Sequence, residues 1–247
     1  MAEKLRLVLK TTQLQLILKT FAFAGLLYWV KISNFAIPVV ILFSLLSFIF
    51  YFKTYHQNSF ENIYSFLALL VISLLMTNLL DHFEFLMPAI IFFSFIFYLI
   101  LAIKDFVLSY RYEWNYAKNL LLLYSVFIGY FLSDKYNLFF VKFLAVFVIV
   151  FFVIQEWFLW LGIDFPKRRR LISIVFSFLI LQFVWAVSLL PLGFISSALL
   201  LLIFVYLMFS FCANHFKGTL NKKLIINNLI ILFFSLSTIF FFTNLTI

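Results

Sequence analysis

Lysine and arginine in this chain fall on alternate joints between apolar segments, a pattern that only a chain threaded repeatedly through a bilayer has reason to keep. Nine apolar segments can be read, at about 14–32, 35–52, 62–80, 85–103, 118–133, 138–161, 171–190, 194–213 and 224–243. Each is near the roughly 20 residues that cross the hydrocarbon, with the fifth short. Of the 18 basic residues, all but Lys31, Lys135 and Lys142 lie on or beside one set of joints. That set comprises the N-terminus (Lys4, Arg6, Lys10, Lys19), Lys53, the stretch with Lys104, Arg111 and Lys118, the run Lys167 to Arg170, and Lys217 with Lys222 and Lys223. The other joints are neutral, acidic or nearly so. The expectation is an all-α, polytopic transmembrane bundle of nine spans, forming a single integral membrane domain over 1–247, with a cytoplasmic N-terminus, an external C-terminus and a location in the cell membrane.

Composition agrees. With 66% apolar and 11% charged side chains and a mean hydropathy of +1.17, the chain lies outside the range of soluble domains. A net charge of +9 would suggest nucleic acid in a soluble protein. Here the cations stand at the ends of apolar segments, where anionic headgroups meet them, so membrane lipids are the expected contact and nucleic acid is not. A protein partner or an oligomer is compatible with the same pattern. The single cysteine, Cys212, excludes an intrachain disulfide and implies no redox or thiolate-metal chemistry. Gln13, Gln15 and Lys19 interrupt the first apolar stretch and no small-residue cleavage site follows, so an uncleaved anchor is expected and soluble terminal domains are not.

Two segments have alternative readings. Residues 5–19 either join the first crossing or form an amphipathic surface helix, with Leu5, Val8, Leu9, Thr12 and Leu16 on one stripe. Residues 104–118 either extend the fourth helix or lie along the cytoplasmic face, and Tyr110, Tyr112, Trp114 and Tyr116 suit the headgroup layer. A docking surface for a partner or a lipid headgroup is the functional alternative there.

Inside the spans, phenylalanine supplies 39 residues and glycine only 5, and no Gly-x-x-x-Gly pair offers a close helix crossing. The best small-residue patches are Ala22, Ala24 and Gly25, and Ser196, Ser197 and Ala198. Pro38 and Pro88 fall early in their spans, Pro166 in a joint and Pro191 before Gly193, so the spans lack the breaks common in ion-coupled carriers, which counts against such a carrier and leaves a pore or a lipid-handling groove open.

Two polar constellations stand out. Glu156, with Gln155, Trp160 and mid-span Gln182 as companions, is the acidic side chain inside a span, and an intramembrane charge marks function by default. A structural role, pairing with the run Lys167 to Arg170, is its bland reading. Lys142, about 21 Å away along the same helix, is expected to snorkel outward. On the external side, Asn78, Asp81, His82 and Glu84 could collect a cation, a polar headgroup or a basic side chain. One histidine with hard carboxylates is no diagnostic metal set, His56 and His215 belong to cytoplasmic joints, and a solvated hairpin cap is the simpler reading. No metal or cofactor is expected, and no hydrolase, zincin, phosphate-loop or dinucleotide motif is present. Asn227, Asn228 and Thr243 could bond across helices, at about 1 kcal/mol each. The leading expectation is a non-enzymatic anchor, scaffold or accessory subunit. The alternatives are a transporter for a small or lipophilic solute, and a membrane-embedded enzyme acting on a lipid or polyprenyl substrate.

Overall fold

In a computed structural model, residues 2–53, 62–80, 83–105, 107–133, 139–163 and 165–244 are described, the side chains of 2–12, 83, 139, 240 and 242–244 excepted. Among them are nine helices: α1 (Ala2–Ile32), α2 (Ile37–Phe52), α3 (Ile63–Leu79), α4 (Phe83–Lys104), α5 (Arg111–Leu132), α6 (Phe139–Trp160), α7 (Pro166–Ser188), α8 (Phe194–Phe216) and α9 (Lys222–Asn244). Six carry stretches long and apolar enough to cross a membrane: Gln13–Ile32, Glu84–Lys104, Phe140–Trp160, Pro166–Ser188, Phe194–Phe216 and Lys222–Ile239. The chain is a multi-pass, all-helical integral membrane protein. Helix is the form that satisfies every backbone amide within its own segment once water is removed.

The helices extend into polar sequence beyond the apolar windows. Residues 5–19 continue unbroken into the first span as part of α1, although the side chains of the stripe from Leu5 to Thr12 lie outside the described residues. The segment 104–118 neither prolongs α4 nor stands alone. Tyr110, in the left-handed region at φ 62°, separates it from α4, and residues from Arg111 onward form the first turns of α5. Pro38 and Pro166 occupy first-turn positions, where the missing amide hydrogen costs nothing. α6 and α8 end on Gly162 (φ 80°) and Gly218 (φ 67°). There the following amides, Ile163 N–H to Phe158 O at 3.3 Å and Thr219 N–H to Asn214 O at 2.9 Å, fold back on the last turn.

The chain divides into two compact units, Met1–Leu122 and Leu123–Ile247. In the first, α1 packs on α2, α3 and α4, and α3 packs on α4. The buried stripe of α1 is Leu16, Phe23, Leu27 and Val30. Gly25 is exposed with open space around it, so the Ala22–Gly25 patch is not a close crossing. Aromatic rings fill this seam instead. Phe23 stacks on Phe97 at 4.4 Å, Phe97 meets Phe66 at 6.3 Å, and Phe66 stacks on Tyr51 at 4.4 Å. Each such pair adds about 0.5–1.5 kcal/mol beyond the area it buries.

In the second unit, α6 packs on α7, α7 on α8 and α8 on α9. One face of α7 is buried through Ser173, Ser177, Ile180, Val184 and Val187. The two hydroxyls bond carbonyls of their own helix, Arg169 at 2.8 Å and Ser173 at 2.7 Å, so the seam needs no polar partner across it. Ser197 and Ala198 are buried, and this second small-residue patch is a packing seam. Trp157 of α6 lies flat on Phe209 of α8 at 4.0 Å. Asn228 donates to Ser210 Oγ at 3.0 Å, the expected bond across helices. Asn227 is exposed, and the side chain of Thr243 lies outside the described residues.

Candidate functional site

The densest polar construction among the described residues lies in the first unit, built from residues that the charge pattern alone assigns to topology. α2 ends with carbonyls that have no partner further along the helix, and the partial negative charge of a helix C-terminus favours a cation there. Two lysines from other helices supply it. Lys104, in the last turn of α4 and only 2% exposed, donates to Tyr51 O at 2.6 Å, with its ammonium 3.9 Å from the centre of the Tyr51 ring. Half-buried Lys19 of α1 donates to Phe50 O at 3.3 Å and Lys53 O at 2.9 Å. The device recurs at other helix ends. Arg111 Nε donates to Ile103 O at 3.0 Å, and in the second unit Lys142 turns to Ser133 O rather than outward.

Beside this layer, α3 and the start of α5 are joined by side chains that are all buried: Asn62, Ser65, Asn115, Lys118 and Asn119. Positions 115, 118, 119 and 122 share one face of α5, and Leu122 carries that face into the apolar core. Lys118 donates to Asn62 Oδ1 at 3.0 Å, and Ser65 Oγ donates to Asn119 Oδ1 at 3.1 Å. Asn62 itself holds the left-handed conformation, φ 65°, immediately before α3 and makes no side-chain cap to that helix. Its amide is turned to the lysine instead.

The remaining amide atoms have no hydrogen-bond partner: Nδ2 of Asn62, Nδ2 of Asn119, and both Nδ2 and Oδ1 of Asn115. A buried polar group left so costs about 1–3 kcal/mol. Three carboxamide nitrogens and one carboxamide oxygen of the cluster are left in this state. The charge pattern places Lys118 among the orienting charges and singles out none of the three asparagines. The signal was present in the spacing Asn115, Lys118, Asn119, a polar stripe of helical period that leads straight into Leu122.

The residues singled out from sequence are distributed differently. Gln155 and Glu156 are buried, at 6% and 2% exposure, about 6 Å from the end of α6. Trp160 is half-buried, and Gln182 is exposed on the outer face of α7, so it is not brought together with Glu156. Within the basic run, Lys167, Arg168 and Arg170 are exposed, while Arg169 Nη1 turns back to Ile163 O at 3.4 Å. Asn78 and Glu84 are both exposed at the facing ends of α3 and α4, and Asp81 and His82 lie outside the described residues. No group of three His, Cys, Asp or Glu side chains able to hold a metal occurs among the described residues. Comparison with protein families, curated proteins and solved structures finds no match.

Proposed function

We propose that the chain is a non-enzymatic membrane anchor, scaffold or accessory subunit, with all nine helices crossing, the N-terminus cytoplasmic and the C-terminus external. The observation that carries this reading is the use of Lys19 and Lys104 to close the C-terminus of α2. Charges spent on helix ends build a static framework, and do not line a path or poise a reacting group. The orientation is supported by the alternation of basic joints, of which Lys167, Arg168, Arg170, Lys217, Lys222 and Lys223 stand exposed. Crosslinking in the native membrane followed by purification in mild detergent is expected to recover a stoichiometric partner or a defined oligomer. Recovery solely as an uncrosslinked monomer would overturn the reading.

Burial of Gln155 and Glu156 favours a second reading, a transporter for a small or lipophilic solute. If this holds, solute flux into liposomes falls at least tenfold in Glu156→Gln, whereas Gln182→Leu, on the outer face of α7, leaves flux unchanged. Equal flux in wild type and Glu156→Gln removes Glu156 from that role.

A further inference from the structure

We propose that the outer face of α7, centred on Gln182, is the surface on which a second copy of this chain docks. The proposal rests on the anchor and scaffold reading and names the face through which the oligomer forms. Gln182 is exposed and makes no hydrogen bond among the described residues. It stands about 18 Å along the axis from Arg170 and about 9 Å from the end of α7 at Ser188, too deep for so short a side chain to reach the headgroups. A carboxamide facing hydrocarbon has lost its water without gaining a partner, so a surface that brings a donor and an acceptor to that depth is favoured.

The seam around Gln182 is complementary to itself. On a helix of 3.6 residues per turn, position 182 lies opposite the buried stripe of Ser173, Ser177, Ile180 and Val184. On its own side Leu171, Val175, Phe178, Gln182, Trp185 and Leu189 are all exposed, spaced four and three in alternation, the heptad of a helix pair. No charged residue interrupts 171–189. A partner therefore needs an apolar seam with one neutral donor and acceptor at the same depth, and α7 itself carries both. Copies of a membrane protein share one orientation, so the twofold axis of a dimer runs along the membrane normal and each seam residue meets its own equivalent. Gln182 of one copy then faces Gln182 of the other, and each carboxamide donates to its counterpart. A single polar residue in an apolar heptad fixes register and partner number. Ala186, exposed one turn on, leaves the two backbones room to approach.

The test uses the full chain in native membranes, in a Cys212→Ser background. Val175→Cys lies one heptad before Gln182 on the same seam, and Phe233→Cys, exposed on α9, controls for random collision. Oxidation with copper phenanthroline is expected to link Val175→Cys into dimers and to leave Phe233→Cys monomeric. Gln182→Leu keeps the apolar seam and removes the carboxamide. It is expected to weaken self-association in liposomes at least tenfold, read by Förster transfer between separately labelled copies, whereas Gln182→Asn, which keeps the carboxamide, weakens it less. Self-association that Gln182→Leu leaves undiminished overturns the proposal, and so does equal linkage of Val175→Cys and Phe233→Cys. A Val175→Cys protein that stays unlinked overturns it too, and crosslinking of the wild type then separates the two claims. A different protein, or an oligomer formed through another face, keeps the anchor reading, while a monomer alone overturns both. Should Gln182→Leu fail to fold, the Val175→Cys linkage still decides.

Discussion

Trp157→Ala is expected to destabilise the folded protein by about 3 kcal/mol, the lower end of the range for truncating large buried aromatics. The indole is fully buried and lies flat against Phe209 at 4.0 Å, and it touches Phe158 at 5.0 Å between ring centres. In a membrane the lost transfer term is small, because lipid is as apolar as the core, so the cost comes from the cavity and the lost dispersion contacts. Glycine-poor helices cannot recover that loss by moving their backbones together. Trp157→Phe keeps a ring over Phe209 and is expected to cost about 1 kcal/mol, in line with losing part of one aromatic contact. Denaturant titration in mixed micelles measures both. An alanine variant as stable as wild type would show that this stack does not hold α6 to α8.

Lys104→Met separates two roles of a cation that the charge pattern merges. Methionine keeps most of the stem volume but removes the ammonium from Tyr51 O, leaving Lys19 as the remaining cation from another helix at the end of α2. The expected loss is about 1.5–3 kcal/mol, the range for a hydrogen bond to a charged group. Orientation is expected to stay unchanged, since the ammonium is buried and does not meet headgroups. Neutralising Lys167, Arg168 and Arg170 together is expected to do the opposite, leaving stability nearly intact and mixing the orientation. In a Cys212→Ser background, Leu189→Cys and Thr219→Cys report the two sides through an impermeant thiol reagent on intact cells. Labelling at Leu189→Cys alone fits the proposed topology, and labelling at Thr219→Cys alone reverses it. A change of orientation in Lys104→Met would return that lysine to the topological set.

The positions of the helices were legible because apolar runs of about 20 residues have few other ways to satisfy their backbones. The shifted boundaries share one cause. α5 starts at Arg111 rather than near 118, and α7 at Pro166 rather than 171. Helical hydrogen bonding does not stop where hydropathy falls, so a reading based on apolarity clips the polar first turns. Those turns hold Asn115 and Lys118, so hydropathy alone passes over the cluster. Rarity in a span singles out Glu156, and polarity alone groups Gln182 with it. Rotation about α7 separates them, because position 182 falls opposite the buried stripe of Ser173, Ser177, Ile180 and Val184.

By itself the sequence determined that this chain is a multi-pass helical membrane protein, since composition and segment length act through the bilayer and require no knowledge of neighbours. Tertiary structure alone decided what each charge is for. Lys104 and Lys118 are turned inward onto Tyr51 O and Asn62, while Lys167, Arg168 and Arg170 remain exposed. Along the chain these residues look alike. What distinguishes them is whether another helix brings an acceptor within hydrogen-bond reach, a property of packing that no local pattern of charge encodes.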